Sequence, residues 1–248
     1  MRLCLDIGNT RIKAGLFRGS RLMRVMTDWK PARADIARLV REYQISSLIF
    51  STVRSNARSF ASYFPSGLPR LMLTPDLRLN FENRYASPLT LGTDRIANVA
   101  GARRLFPGKT VLVVSAGTCI TYDLLHAEGI YFGGSISPGI AMRLQAEHRF
   151  TGRLPRVEPK DAGSLFGTDT ASAMQTGAVN GARFELQGYV AATRQWHDKF
   201  IVLLTGGDAA MLQGKMTECM GCRIFVRPHL SLIGLNELAT LNEAAFTT

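Results

Sequence analysis

Two short turns in this 248-residue chain set glycine among residue types suited to handling phosphate. In the first, Asp6-Ile7-Gly8-Asn9-Thr10 joins two apolar segments, with Arg11, Ile12 and Lys13 next in line. A tight glycine turn between strands exposes successive backbone N–H groups that wrap an anion. Asn9 and Thr10 add side-chain donors, Lys13 adds a cation, and Asp6 offers the hard oxygen that magnesium takes directly or through water. Such turns also serve ordinary hairpins. The second, Ser115-Ala116-Gly117-Thr118, repeats the plan, and two such turns facing each other would grip a triphosphate. Phosphoryl transfer further needs a group that orients and deprotonates the attacking hydroxyl. Asp94, in Gly92-Thr93-Asp94-Arg95, stands at a helix start where the dipole keeps a carboxylate ionised, and Arg95 can neutralise an anionic acceptor. A plain Asp N-cap followed by a surface arginine fits the same residues equally well. Lys13, Arg143 and Arg153 read first as solvated surface cations. Gly206-Gly207-Asp208 suits either packing against a ribose or adenine or the start of a helix.

The elements that must position these residues alternate in type. Apolar runs predict strands at 3–5, 12–17, 48–53 and 71–74, with a helix-like stretch between the last two, then at 111–114, 119–125, 129–132, 200–205 and 223–226. Ile36, Leu39, Val40 and Tyr43 recur at helical spacing behind Pro31. A helix over 95–106 has Asp94 as its N-cap and stops at Pro107-Gly108. Gly133-Gly134 turns the chain toward a helix at 140–148, residues 164–196 are helical but broken or re-registered near Gly177 and Gly181, and 232–241 closes the chain. This pattern predicts an α/β protein with mixed sheets. Residues 3–17 and 112–125 share one plan, aligning Asp6 with Ser115 and Gly8 with Gly117. Chance likeness of two hairpins is one explanation; the other is duplicated halves, at 1–108 and 109–248, with a ligand cleft between them.

Composition narrows the function classes. At 46% hydrophobic and 20% charged the chain is globular, and 30 Lys+Arg against 19 Asp+Glu give a net charge of +11. The basic residues are scattered without aromatic interleaving, which reads as a solvated surface that attracts anions and argues against a nucleic-acid platform. No apolar run approaches membrane-spanning length. The N-terminal segment meets Asp6 before any long apolar stretch, and Cys4, Cys119, Cys219 and Cys222 form no disulfide framework; a cytoplasmic protein is expected. Cys219 and Cys222 form a lone C-x-x-C, read as two small buried thiols rather than a zinc site, since His197 and His229 are badly spaced to complete one. A metal-dependent nuclease would need a fourth carboxylate beside Asp6, Asp94 and Asp123, and none falls on the relevant strands.

Six motifs occur in order: Asp6-Ile7-Gly8-Asn9-Thr10, Tyr85-x-x-Pro88-x-x-Leu91-Gly92-Thr93-Asp94-Arg95, Ala116-Gly117-Thr118, Gly133-Gly134-x-Ile136-x-Pro138-Gly139, Gly167-x-x-Thr170 and Thr205-Gly206-Gly207. With them the chain resembles the type III pantothenate kinases over nearly its whole length. The resemblance implies duplicated ribonuclease-H-like halves of the acetate and sugar kinase, heat-shock ATPase and actin superfamily. It implies ATP-dependent phosphorylation of pantothenate, the first step of coenzyme A synthesis, with Asp94 as general base. By motif, Asp6 to Lys13 and Thr118 resemble the ATP phosphate site. Tyr85, Gly92, Thr93, Asp94, Arg95 and Thr170 resemble the pantothenate site, Thr170 reaching in from a partner subunit of a homodimer. Magnesium and a monovalent cation, potassium or ammonium, are the implied ions. Ser115 departs from the pattern, because many members carry Asp there at the cation site. The resemblance also takes in accessory factors of virulence-gene transcription, a regulatory alternative on the same scaffold.

Overall fold

The computed structural model describes every residue except Thr10, residues 30–32 and 54–62, Ala162, Lys215, Thr217, Met220 and Thr248. Pro31, and most of the helix-like stretch expected between 53 and 71, therefore lie outside the described residues. The helices are α1 (Arg33–Glu42), α2 (Thr93–Leu105), α3 (Ile140–Phe150), α4 (Thr170–Arg194), α5 (Ala209–Gln213) and α6 (Leu230–Leu241). The strands are β1 (Arg2–Ile7), β2 (Ile12–Arg18), β3 (Arg21–Met26), β4 (Ser47–Thr52), β5 (Arg70–Met72), β6 (Glu82–Asn83), β7 (Val111–Ala116), β8 (Cys119–Leu125), β9 (Ile130–Pro138), β10 (Ile201–Thr205), β11 (Glu218–Cys219) and β12 (Cys222–Val226).

Leu3, Cys4 and Leu5 are consecutive and all buried, the mark of a strand covered on both faces. Accordingly β1 is central: it pairs antiparallel with β2 and parallel with β4, in a sheet of order β3-β2-β1-β4-β5. Ile36 and Leu39 of α1 join Leu3, Leu5, Leu16, Leu48 and Phe50 in the core of this unit. Helices α2 and α6 cross at two glycines. A Cβ on Gly234 would lie 1.8 Å from the Ala97 carbonyl oxygen, and one on Gly101 would lie 2.5 Å from that of Leu230. Only glycine lets these backbones come so close.

The second unit repeats the scheme. There β7 pairs antiparallel with β8 and parallel with β10, in the order β11-β12-β10-β7-β8-β9. Read from β9, the order 9-8-7-10-12 matches 3-2-1-4-5 of the first sheet. The two sheets repeat one topology within a mixed α/β protein, the duplication that residues 3–17 and 112–125 predict. Val114, Ile120, Leu144, Ala178, Leu186 and Leu204 belong to its core.

In sequence the compact units are interleaved: one is Met1–Pro107, Gly129–Phe132 and His229–Thr248, the other Gly108–Glu128 and Gly133–Pro228. They differ from a single cut at residue 108 because α6 packs on α2, and the start of β9 pairs with β6.

Three local expectations change. Gly133-Gly134 does not end a strand, since β9 runs through it to Pro138. A Cβ on Gly134 would sit 1.9 Å from the Tyr122 carbonyl oxygen, so the glycine permits close strand approach. Gly177 and Gly181 do not interrupt α4, a 25-residue helix started by an Asp169–Ser172 capping box. Met174, Ala178, Ala182, Leu186 and Val190 bury one stripe of it, which offsets the roughly 1 kcal/mol each internal glycine costs. The N-cap of α2 is Gly92, so Asp94 lies inside the first turn and is not the cap. Among the described residues no helix is long and apolar enough to cross a membrane.

Candidate functional site

Asp6 and Ile7 belong to β1 rather than to the turn, which is tightest at Gly8, whose N–H donates to the Arg11 carbonyl at 3.0 Å. A Cβ on Gly8 would stand 3.2 Å from that oxygen. Strand pairing places Lys13 opposite Asp6 on one side and Ser51 on the other. The Asp6 carboxylate is braced twice: Ser51 Oγ donates to Oδ1 at 3.3 Å, and Ser231 Oγ, from the first turn of α6, donates to Oδ2 at 2.6 Å. Each oxygen keeps lone-pair capacity beyond these bonds, and a half-buried carboxylate of this kind fits a hard dication such as magnesium. His229 stands just before α6 with its Nδ1 buried and, among the described residues, without a hydrogen-bond partner; burial first, then the Lys13 charge, pulls its pKa below the ordinary histidine value. Ile7 is buried and packs in the core together with half-buried Ile12, so their side chains anchor the turn. Asn9 lies exposed in it, Arg11 pairs with Asp28 at 3.2 Å on the surface, and Thr10 lies outside the described residues.

The N-terminus of α2 shares this end of the sheet. Thr93 Oγ1 donates to the Thr52 carbonyl at 3.1 Å, and Thr52 is the register partner of Ile7. A Cβ on Gly92 would fall 2.6 Å from Asp94 Oδ1, so the carboxylate rests against the glycine and any larger residue would displace it. Arg95 follows, only 4% exposed. Its Nη2 donates to Tyr131 Oη at 2.9 Å, and its guanidinium lies 5.5 Å from the centre of the Tyr85 ring. Tyr85 and Tyr131 stack at 6.4 Å, with the Phe81 ring edge-on to Tyr131 at 5.8 Å. The arrangement depends on a short parallel pairing of β6 with the start of β9, Asn83 opposite Tyr131, continued where Arg84 N–H donates to the Tyr131 carbonyl at 2.8 Å. Sequence alone does not mark Tyr131 or Ser231. Both act through partners distant in the chain, and nothing in their own neighbourhoods signals this.

Ser115, Thr118 and Thr170 lie in the second unit. Ser115 is half-buried near the end of β7, with Thr121 and Thr205 as register partners. The turn after it is one residue shorter than the first, with Gly117 N–H donating to the Cys119 carbonyl at 3.0 Å. Two glycines press other elements onto it. A Cβ on Gly139, the N-cap of α3, would lie 2.1 Å from the Gly117 oxygen; one on Gly206, at φ 96°, would lie 2.0 Å from that of Ala116. Thr118 is exposed, as is Thr170, the first residue of α4. Gly167 packs on that first turn, 2.2 Å from the Ala173 nitrogen to a built Cβ, which accounts for the Gly167-x-x-Thr170 spacing. Asp123 is fully buried on β8, and Cys222 is buried with Arg194 Nη1 3.4 Å from its sulfur.

A family model described as type III pantothenate kinase matches residues 2–192, and the matched span includes both turns, the start of α2 and the start of α4. The chain belongs to the type III pantothenate kinase family. A type III pantothenate kinase of Bacteroides fragilis is 38% identical over 243 residues, covering 98% of each chain. One from Christiangramia forsetii is 37% identical over 245 residues, covering 98% of this chain and 99% of its own. Among solved structures, a Campylobacter jejuni protein assigned to the Baf family of transcriptional activators superposes with a TM-score of 0.60 at 21% identity, over 98% of this chain and 99% of the other. The activator of the 2-hydroxyisocaproyl-CoA dehydratase from Clostridium difficile, with bound ADPNP, gives 0.55 at 11%, over 98% and 96%. At these identities the structural matches speak for the fold alone. Family membership makes the chain an ATP-using kinase.

Proposed function

We propose that the chain transfers the γ-phosphoryl group of ATP to the primary hydroxyl of pantothenate, giving 4′-phosphopantothenate for coenzyme A synthesis, with Asp94 as general base. The observation that carries the site assignment is the shared sheet end: the Asp6 turn follows β1, and Thr93 ties the Asp94-Arg95 helix start to β4 beside it. Asp94 accepts the hydroxyl proton from the first turn of α2, where the helix dipole favours its anionic form. Arg95, clamped by two tyrosines, receives the acceptor's carboxylate. The turn after β1, with the side chains of Asn9, Thr10 and Lys13 and backbone N–H groups other than that of Gly8, which is bonded to the Arg11 carbonyl, holds the phosphates together with Thr118 from the second turn. Magnesium would bind at Asp6, where its charge would neutralise phosphate oxygens; Ser51 and Ser231 keep that carboxylate oriented.

Three finer points complete the reading. A monovalent cation, potassium or ammonium, sits near Ser115, whose hydroxyl offers it an uncharged oxygen. In sequence the duplication divides the chain into halves at 1–108 and 109–248, with residues 129–132 and 229–248 of the second half packing into the first unit. The active form is a cytoplasmic homodimer in which Thr170 of one copy closes the pantothenate pocket of the other. In support of the dimer, α4 exposes Phe184 to 55%, and built Cβ atoms at its Gly177 and Gly188 meet nothing within 4 Å.

The test is direct. Purified protein incubated with ATP, magnesium, potassium or ammonium, and pantothenate should form 4′-phosphopantothenate, detected by mass spectrometry. Absence of product under every cation would overturn the assignment.

A further inference from the structure

We propose that Tyr131 is a positioning residue: its hydroxyl fixes the Arg95 guanidinium in the orientation that selects an acceptor carrying a carboxylate. The proposal rests on reading Arg95 as the contact to the acceptor.

An arginine side chain has four rotatable bonds before its planar fork, so a bidentate contact to a carboxylate forms only if the fork is held in plane. Here two tyrosines hold it. Tyr131 Oη accepts from Nη2 at 2.9 Å, which fixes rotation within the fork's plane. The Tyr85 ring, 5.5 Å from the guanidinium carbon, offers an aromatic face to the cation. Tyr131 is itself immobile. It is fully buried, stacks on Tyr85, meets the edge of Phe81, and its backbone is pinned by Asn83 and Arg84. A rigid phenol thus transmits the position of β9 to a side chain on α2. A cation in the first turn of a helix also opposes the helix dipole, and an anionic ligand beside it relieves that opposition. The hydroxyl therefore does more than fill space: it aims a charge that a neutral acceptor would not use.

Tyr131→Phe keeps the ring and removes only the oxygen. Binding to the full-length variant is measured by calorimetry for pantothenate and for panthenol, its alcohol analogue without a carboxylate, alongside KM and kcat for pantothenate and ATP. The Kd and KM for pantothenate should rise about tenfold, as for loss of a hydrogen bond to a charged group, with kcat and the KM for ATP little changed. Panthenol affinity should stay as in the wild type, so discrimination between the two ligands shrinks. Arg95→Met serves as reference, and in that background Tyr131→Phe should add nothing further for pantothenate. An unchanged pantothenate Kd in Tyr131→Phe, with Arg95→Met impaired, overturns the role of Tyr131 alone. Equal losses for both ligands, or a drop in melting temperature with no change in discrimination, make Tyr131 merely structural. If Arg95→Met binds pantothenate normally, the reading of Arg95 fails instead.

Discussion

At the scale of single residues, Asp94 and Gly92 work as a pair: the glycine leaves the space into which the carboxylate folds back. An amide at position 94 preserves shape and most hydrogen bonding but cannot accept the hydroxyl proton. Asp94→Asn should therefore retain pantothenate binding by calorimetry while kcat falls about 10²- to 10⁴-fold. A fall of less than about fivefold would leave Asp94 as a helix-start residue only. Ser115 invites the opposite change, because a serine oxygen lacks the charge by which a carboxylate attracts a cation at close range. Ser115→Asp should lower the potassium concentration needed for half-activation, read from initial rates over a potassium titration. Identical curves would show that position 115 does not touch the cation. The residues that could be picked from sequence, Asp6, Gly8, Asp94 and Arg95, announce themselves through local turn and helix-start chemistry. Ser51, Ser231 and Tyr131 could not be picked, since they meet Asp6 or Arg95 across 45, 225 and 36 residues of chain. Such contacts are decided by strand register and helix packing, which leave no mark on the flanking sequence.

Among the elements, those with a clean apolar period were legible. Ile36 and Leu39 of α1 are buried as their spacing predicts, and the β1–β2 and β7–β8 hairpins form where the two echoing segments stand. Glycine misled in β9 and α4, because the same residue that punctuates a turn also permits close approach inside an element. Gly234 of α6 makes the point testable. In an isolated helix Gly→Ala stabilises by roughly 1 kcal/mol. Here the added methyl would meet the Ala97 carbonyl of α2, and overpacking of this sort costs about 1–3 kcal/mol. Gly234→Ala should therefore lower the urea midpoint of unfolding. A raised midpoint would mean that α2 and α6 separate without penalty. Because α6 also carries Ser231, the same variant should weaken the hold on Asp6.

For the whole molecule, a pocket completed by Thr170 from a second copy predicts complementation between defective subunits. Asp94→Asn and Thr170→Arg proteins, each inactive alone, are mixed under conditions of proven subunit exchange. Random pairing of a two-fold dimer leaves one intact site in half of the dimers, so activity should return to about a quarter of the wild-type value. No recovery would place Thr170 in its own subunit's chemistry or outside it. The interleaved order of the two units has a consequence for biosynthesis as well. On the ribosome, residues 1–107 emerge well before α6, the helix that covers α2 and braces Asp6, has been made. The part made first is finished last, and its exposed apolar face is then a natural target for chaperones on the nascent chain. The Asp6 carboxylate gains its Ser231 brace only after α6 has been synthesised, so the geometry at the end of β1 is the last part of the first unit to be set.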